Sequence, residues 1–174
     1  MPWIKVRIRA PGGQEVETSA VANSGFMWRV RQPDGSEYSI PVINIPAPLA
    51  RRLGLVMPIE EGAALSFRGA DASHIRAVLL GEVDVRLVIH DREMPWVRAK
   101  AVCMLGSDRV LLSEGLLERL RILPFGTRWL ILGEAELREE AAPQYWREPR
   151  AGRTVRESSG ALRESSVKLE NVEN

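Results

Sequence analysis

The residues with the clearest chemical potential form one short stretch, Asn23-Ser24-Gly25. It follows Glu15 to Ala22, which alternates like a β-strand, and its residue types favour a tight turn. The Asn23 carboxamide and the Ser24 hydroxyl can each donate and accept hydrogen bonds. The amide has no useful proton affinity near neutral pH, so Asn23 cannot activate a water molecule. Taken alone, the triplet is more typical of a plain turn.

Other residues that could do chemistry stand far from one another in the sequence. Cys103 is the single cysteine, which excludes an internal disulfide, and its apolar neighbours predict a buried, inert thiol. His74 and His90 fall in different predicted elements, and neither has a cysteine or glutamate pair at ligand spacing. We find no glycine-rich phosphate loop, no Ser-His-Asp set and no zinc pattern. The sequence therefore predicts no metal and no cofactor.

Length and composition describe an ordinary globular chain. Its 174 residues are 45% hydrophobic and 27% charged, which suits one domain or one domain with a tail. A formal net charge of +1 gives no electrostatic reason to expect nucleic acid as a partner. No apolar run approaches the roughly 18 residues that cross a bilayer, so we expect no membrane partner. The N-terminus lacks the layout of a signal peptide, and the expected location is cytoplasmic.

Strand patterns dominate the first three quarters of the chain. Trp3 to Arg9 alternates strictly and predicts a half-buried strand, which a Pro-Gly-Gly turn joins to Glu15 to Ala22. A second hairpin is expected within Met27 to Val42, around Pro33-Asp34-Gly35. Further strands are predicted at residues 65–67, 75–79, 81–89, 96–104, 110–112 and 127–132.

Helical patterns are few and short. Pro46 opens a helix through Leu53, and Leu49, Leu53 and Leu55 are expected to face the core. Glu114 to Leu120 predicts another helix with one apolar face. The charged segment from residue 134 to residue 140 is compatible with a further short helix. The expected fold class is therefore all-β with one or two short helices.

Residues 147–174 differ from the rest of the chain. They carry six positive and five negative charges and few large apolar side chains. Such a segment cannot bury enough surface to offset its ordering entropy. We therefore divide the chain into a domain at residues 1–146 and a flexible charged tail at residues 147–174. Tyr145 and Trp146 are expected to anchor the root of this tail.

The order of elements over roughly residues 1–135 resembles that of a retroviral-type aspartic protease subunit, most closely the small single-lobed archaeal and bacterial members. In that family a hydrophobic strand runs into an Asp-Thr/Ser-Gly loop, and Asn23-Ser24-Gly25 stands at this position. The segment from Ile45 to Leu55 is similar to the short helix after the loop. Residues 65–80 fall where the family has its substrate-covering flap. Val110 to Ser113, followed by a helix, resembles the family's late motif of two apolar residues, a glycine and a helix.

The resemblance implies an acid-protease barrel with one lobe per chain, which acts as a homodimer on a peptide or protein substrate. Two loops meet on a two-fold axis, where paired aspartates share a proton and activate water. Asn23 takes the position of the catalytic aspartate, the Ser24 hydroxyl holds the opposite loop, and Gly25 permits close backbone approach. The resemblance also places substrate contacts at the flap tip, on Gly69, Ala70 and Asp71.

Three departures from the family pattern stand out. Asn23 replaces the aspartate, Ser113 replaces the usual glycine and is expected to disturb the strand crossing slightly, and the hairpin of residues 27–42 is inserted. Asn23 has two explanations that the sequence leaves open. One is an Asp-to-Asn change made to prevent self-digestion or to trap a substrate. The other is a natural pseudoprotease that keeps the dimer and groove as a peptide-binding or dimerisation module. A third interpretation is an unrelated small β-barrel with a structural role.

Overall fold

The computed structural model describes residues 1–56, 64–68, 73–149 and 168–169. Within these ranges the chain is mostly β-structure with two short helices, which confirms the predicted all-β class. The strands are β1 (Trp3–Arg9), β2 (Glu15–Ala22), β3 (Arg29–Arg31), β4 (Glu37–Ser39), β5 (Val42–Asn44), β6 (Ala64–Arg68), β7 (His74–Leu87), β8 (Val97–Met104), β9 (Leu111–Leu112), β10 (Ile122–Phe125), β11 (Arg128–Ile131), β12 (Arg138–Glu139) and β13 (Lys168–Leu169). The helices are α1 (Ala47–Arg52) and α2 (Glu114–Leu120).

Six strands close into a barrel in the order β1-β2-β9-β5-β8-β7, because β7 pairs back onto β1. Alternation along β1 explains its place in this wall. The inward-facing Val6 and Ile8 are fully buried. On the outer face, Lys5 and Arg7 pair with Glu17 on β2 at 3.4 and 2.8 Å. Closure leaves these strands without a free edge, so their backbone groups are satisfied within the barrel.

The main core fills the barrel and continues beneath both helices. The predicted inward residues of the first helix are confirmed, since Leu49 and Leu53 are fully buried and Leu55 is 9% exposed. Helix α2 contributes Leu116, Leu117 and Leu120 to the same core, as its apolar face predicted. Neither helix in the described ranges combines the length and hydrophobicity needed to cross a membrane.

Strand β7 is one long element, where the sequence predicted two separate strands. It runs from the hairpin with β6 into the barrel wall, and its register against β8 shifts between Leu79 and Gly81. Gly81 has a φ of 106°, a conformation that other residues rarely adopt. The glycine therefore marks a bulge within a strand, not the boundary between two strands.

A small three-stranded sheet of β10, β11 and β12 follows α2. The pattern had not indicated β10, and the segment compatible with a helix at residues 134–140 instead contains β12. Long-range contacts hold this segment extended. Arg138 forms paired hydrogen bonds with Asp91 at 3.1 and 3.3 Å, and the Trp129 indole donates to the Glu139 carbonyl at 3.2 Å.

The chain beyond β12 returns to the barrel. Ala141 donates its N–H to the Trp3 carbonyl at 2.7 Å, and the Tyr145 ring meets the Trp3 ring edge-on at 5.5 Å. The Trp146 indole donates to the Thr18 hydroxyl at 3.0 Å. These contacts confirm that Tyr145 and Trp146 attach the root of the tail. Of the predicted tail, the structure describes only residues 147–149 and 168–169, so its flexibility stays a prediction.

Candidate active site

The predicted loop begins where β2 ends. The Asn23 backbone N–H donates to the Leu112 carbonyl at 3.1 Å, and the Asn23 carbonyl accepts from Phe26 at 3.0 Å. The Asn23 side-chain Oδ1 accepts the Gly25 N–H at 3.1 Å. Asn23 is only 4% exposed, whereas Ser24 is exposed and Gly25 is half-buried. The loop is thus a tight turn that the Asn23 side chain stabilises, and it presents the exposed Ser24 hydroxyl at its tip.

Strand β9 crosses directly behind this loop. It runs parallel to β2, with Ala22 opposite Leu112, and antiparallel to β5, with Ile43 opposite Leu112. Immediately after β9, the Glu114 N–H donates to the Phe26 carbonyl at 2.8 Å. Hydrogen bonds on both sides of the loop therefore fix it to a distant part of the chain.

Ser113 connects the strand crossing to helix α2. Its hydroxyl accepts the Leu116 N–H at 3.2 Å as the helix cap and the Val42 N–H at 2.9 Å. Its own N–H donates to the Val42 carbonyl at 3.0 Å. We expected Ser113 to disturb the strand crossing slightly, and this expectation is wrong. The serine side chain satisfies two backbone donors, and the pairing of β9 with β2 and β5 is intact.

The position of Gly115 requires a glycine, and the sequence analysis did not identify this requirement. A Cβ built there would lie 2.5 Å from the Ile40 carbonyl oxygen and 2.7 Å from that of Ser39. Real Cβ atoms do not approach backbone so closely, so α2 can rest on the chain before β5 only with glycine at this point. The signal available in the sequence was a glycine in the first turn of a helix, where it costs stability unless packing needs it.

The hairpin of β3 and β4 is attached to the same corner. The Ser39 hydroxyl donates to the Glu114 carboxylate at 2.7 Å, and an Arg29 guanidinium nitrogen lies 3.6 Å from it. Glu114 also begins α2, where a negative charge suits the helix dipole. This hairpin and the loop therefore both contact the first residue of α2.

A second, smaller core joins the loop to the β6–β7 hairpin. The Phe26 and Phe67 rings meet edge-on with centroids 5.5 Å apart, and both are fully buried. The buried members of this core are Phe26, Val42, Phe67, Ala77, Val102 and Met104. Phe26, the residue that follows Gly25, therefore packs directly against strand β6.

The predicted site residues have different outcomes. The structure brings Asn23, Ser24 and Gly25 together in one loop, while Gly69, Ala70 and Asp71 lie outside the described residues. Within the described part of the chain, no group of three or more His, Cys, Asp or Glu side chains could hold a metal ion. Cys103 is 2% exposed, as predicted, and burial raises the pKa of its thiol.

An open surface cavity of about 320 Å³ lies elsewhere, along the turn between β7 and β8. Its lining includes Arg7, Arg86, Asp91 and Met94, and no residue of the Asn23–Gly25 loop. Among its lining residues, Arg86 pairs with Glu93, and Arg92 pairs with Asp91. This cavity does not contribute to the loop's chemistry.

Comparison with known proteins finds no matching family model, no similar curated protein and no similar solved structure. The loop offers a carboxamide that is held by one backbone donor, an exposed hydroxyl and no carboxylate. With asparagine at position 23, the loop can orient a polar ligand but cannot exchange a proton with water near neutral pH.

Proposed function

We propose that the chain is one subunit of a homodimeric aspartic endopeptidase of the retroviral type, with Asn23 in the place of the catalytic aspartate. The observation that carries the proposal is the arrangement around β9. This strand lies parallel to β2 and antiparallel to β5, behind a loop that ends β2. Such a crossing fixes a short loop rigidly at the rim of a barrel, which is what paired acid chemistry requires.

The exposed loop tip supports the homodimer. Ser24 stands out from a loop whose other parts are bonded within the subunit, and its hydroxyl makes no hydrogen bond to the described residues. A second copy related by a two-fold axis would supply the partner for Ser24 and the second half of a groove. An extended peptide in that groove is the substrate class that we assign.

The chemistry follows from placing two acids at this point. An aspartate at position 23 would accept the Gly25 N–H as Asn23 does, at nearly the same volume. Two such carboxylates, brought together by the dimer, cannot both ionise and would share one proton. One then takes a proton from water while the other donates to the peptide carbonyl. Asn23 keeps the hydrogen-bond geometry but removes this proton exchange.

A natural pseudoprotease is the second candidate, and the bonding of Asn23 is compatible with it. The carboxamide oxygen accepts a backbone N–H and the residue is 96% buried, so the loop is satisfied without a carboxylate. On this account the dimer and groove bind peptides without cleaving them. Both candidates share the fold, the dimer and the extended ligand, and they differ only in the chemistry at residue 23.

Replacing Asn23 with Asp separates the two candidates. The Asn23→Asp protein should cleave peptides with an acidic optimum and be inhibited by statine peptides, which mimic the transition state. The unmodified chain and an Asn23→Ala control should show only background cleavage. Mass spectrometry of the peptide containing residue 23 checks that the unmodified chain has not deamidated.

The peptidase proposal fails if Asn23→Asp is a folded dimer and cleaves no peptide between pH about 3 and 7. Peptide binding by the unmodified chain, without cleavage by the variant, would then select the pseudoprotease. A folded monomer that binds no peptide would contradict both candidates.

A further inference from the structure

The outer edge of β6 carries a strand from the end of the chain. On one side, β6 pairs antiparallel with β7, from Ala64 opposite Val78 to Arg68 opposite His74. On the other side, Lys168 lies opposite Arg68 and Leu169 lies opposite Phe67, also antiparallel. An edge strand presents a row of unpaired backbone donors and acceptors, so it is a template for one more extended segment.

This edge adjoins the candidate active site. The same Phe67 that lies opposite Leu169 is fully buried and packs edge-on against Phe26. The Phe26 backbone N–H in turn donates a hydrogen bond to the Asn23 carbonyl at 3.0 Å. The docked strand is therefore separated from the loop by one pair of aromatic rings.

The sequence around Lys168 suits a docked strand better than the rest of the tail does. Val167 and Leu169 alternate with polar residues, which is the pattern of a strand with one apolar face. Residues 150–167 form the connection from the domain. When extended, a segment of this length reaches about 60 Å, which exceeds the roughly 40 Å diameter of a domain of this size. The tail can therefore reach β6 of its own chain.

We propose that the outer edge of β6 is a docking site for an extended peptide strand, and that the chain's own C-terminal segment at Lys168–Leu169 occupies it. Main-chain hydrogen bonds supply the affinity, as in other cases of strand addition. The tail then competes with any other extended peptide for this edge. Only the identity of that competitor, a substrate in the neighbouring groove, rests on the proposed function.

Hydrogen exchange tests the docking directly on the chain as it exists. We compare the full chain with a chain that ends at Pro149 and follow the peptide containing β6. Loss of the tail should speed exchange of the β6 amides about tenfold or more, while β1 and β2 stay unchanged. In the full chain, Leu169→Pro removes a backbone donor and should have the same effect, whereas the matched Ala161→Pro should not.

A synthetic peptide of residues 163–174 provides the second arm. Added to the shortened chain, it should restore protection of β6, and the same peptide with Leu169→Pro should not. Equal β6 protection with and without the tail would overturn the proposal, as would protection by the peptide at another strand only. Isotope-labelled shortened chains mixed with full chains should gain no protection, since protection there would show docking between chains. All these measurements use the Asn23 protein, so they stand apart from the outcome for peptidase activity.

Discussion

At the scale of single residues, Gly115 marks the closest approach of α2 to the chain before β5. A Cβ there would lie 2.5 Å from the Ile40 carbonyl oxygen, so the Gly115→Ala variant must shift the helix or the strand. We expect it to lower the free energy of unfolding by roughly 1–3 kcal/mol, as overpacking does. Urea denaturation followed by circular dichroism measures this change.

Glu118→Ala is the matched control on the same helix, because Glu118 is exposed. Its effect on the free energy of unfolding should stay within about 0.5 kcal/mol. If Gly115→Ala were as stable as this control, the close contact between α2 and residues 39–40 would be disproved.

The sequence predicted residues whose role depends on their neighbours in the chain. It did not predict residues whose role depends on contacts with distant parts of the chain. Asn23 was found because a strand pattern precedes it and a turn pattern follows it. Asn44 gave no such signal, although it is fully buried. It donates to the Arg109 carbonyl and accepts from the Met104 N–H, both at 2.8 Å, and so ties the turn that leads into β9. Its partners lie about sixty residues away in the sequence.

At the scale of elements, Asp91 and Arg138 clamp the small C-terminal sheet to the turn after β7. Arg138 binds both oxygens of Asp91 and a Glu134 oxygen at 3.4 Å. The hydrogen bonds from Arg138 lower the pKa of Asp91 from its ordinary 3.8 to about 2. Because the folded-state pKa is lowered, the clamp's stabilisation is complete above pH about 4 and is lost as pH falls through about 2.

The Asp91→Asn variant should therefore melt at a lower temperature than the unmodified chain at neutral pH. This difference in melting temperature should shrink below pH about 4 and vanish near pH 2. Thermal unfolding followed at several pH values tests both parts, with Glu118→Gln as a surface control. A difference that persists unchanged to pH 2 would show that the carboxylate is not the stabilising group.

The sequence predicted the bounds of an element correctly where one face of that element is buried and the other is exposed. The alternation from Trp3 to Arg9 predicted β1 with its observed bounds. The same logic failed at Gly81, where a glycine inside a strand marks a bulge. It failed again near Arg138, because an extended conformation there depends on Asp91, which lies 47 residues earlier. A charged segment carries no local sign of such a partner.

At the scale of the whole molecule, the proposed peptidase requires two copies of the Asn23–Gly25 loop to meet across a two-fold axis. The barrel, the strand crossing and the all-β class describe one subunit, and its loop tip faces outward at Ser24. Composition and periodicity could indicate the subunit because burial within one chain shapes both. Composition and periodicity carry no comparable signal for a partner copy, since a loop tip is polar in a monomer and in a dimer alike.

Cross-linking through Ser24 measures this central claim most directly. A disulfide forms only when two Cα atoms come within about 4–7 Å, and the native Cys103 is buried at 2% exposure. The Ser24→Cys chain should be a dimer by light scattering and should cross-link quantitatively under mild oxidation. Ser36→Cys, exposed on the β3–β4 turn, is the control and should stay uncross-linked. A stable monomer, or a dimer in which Ser24→Cys cross-links no better than Ser36→Cys, would contradict the account.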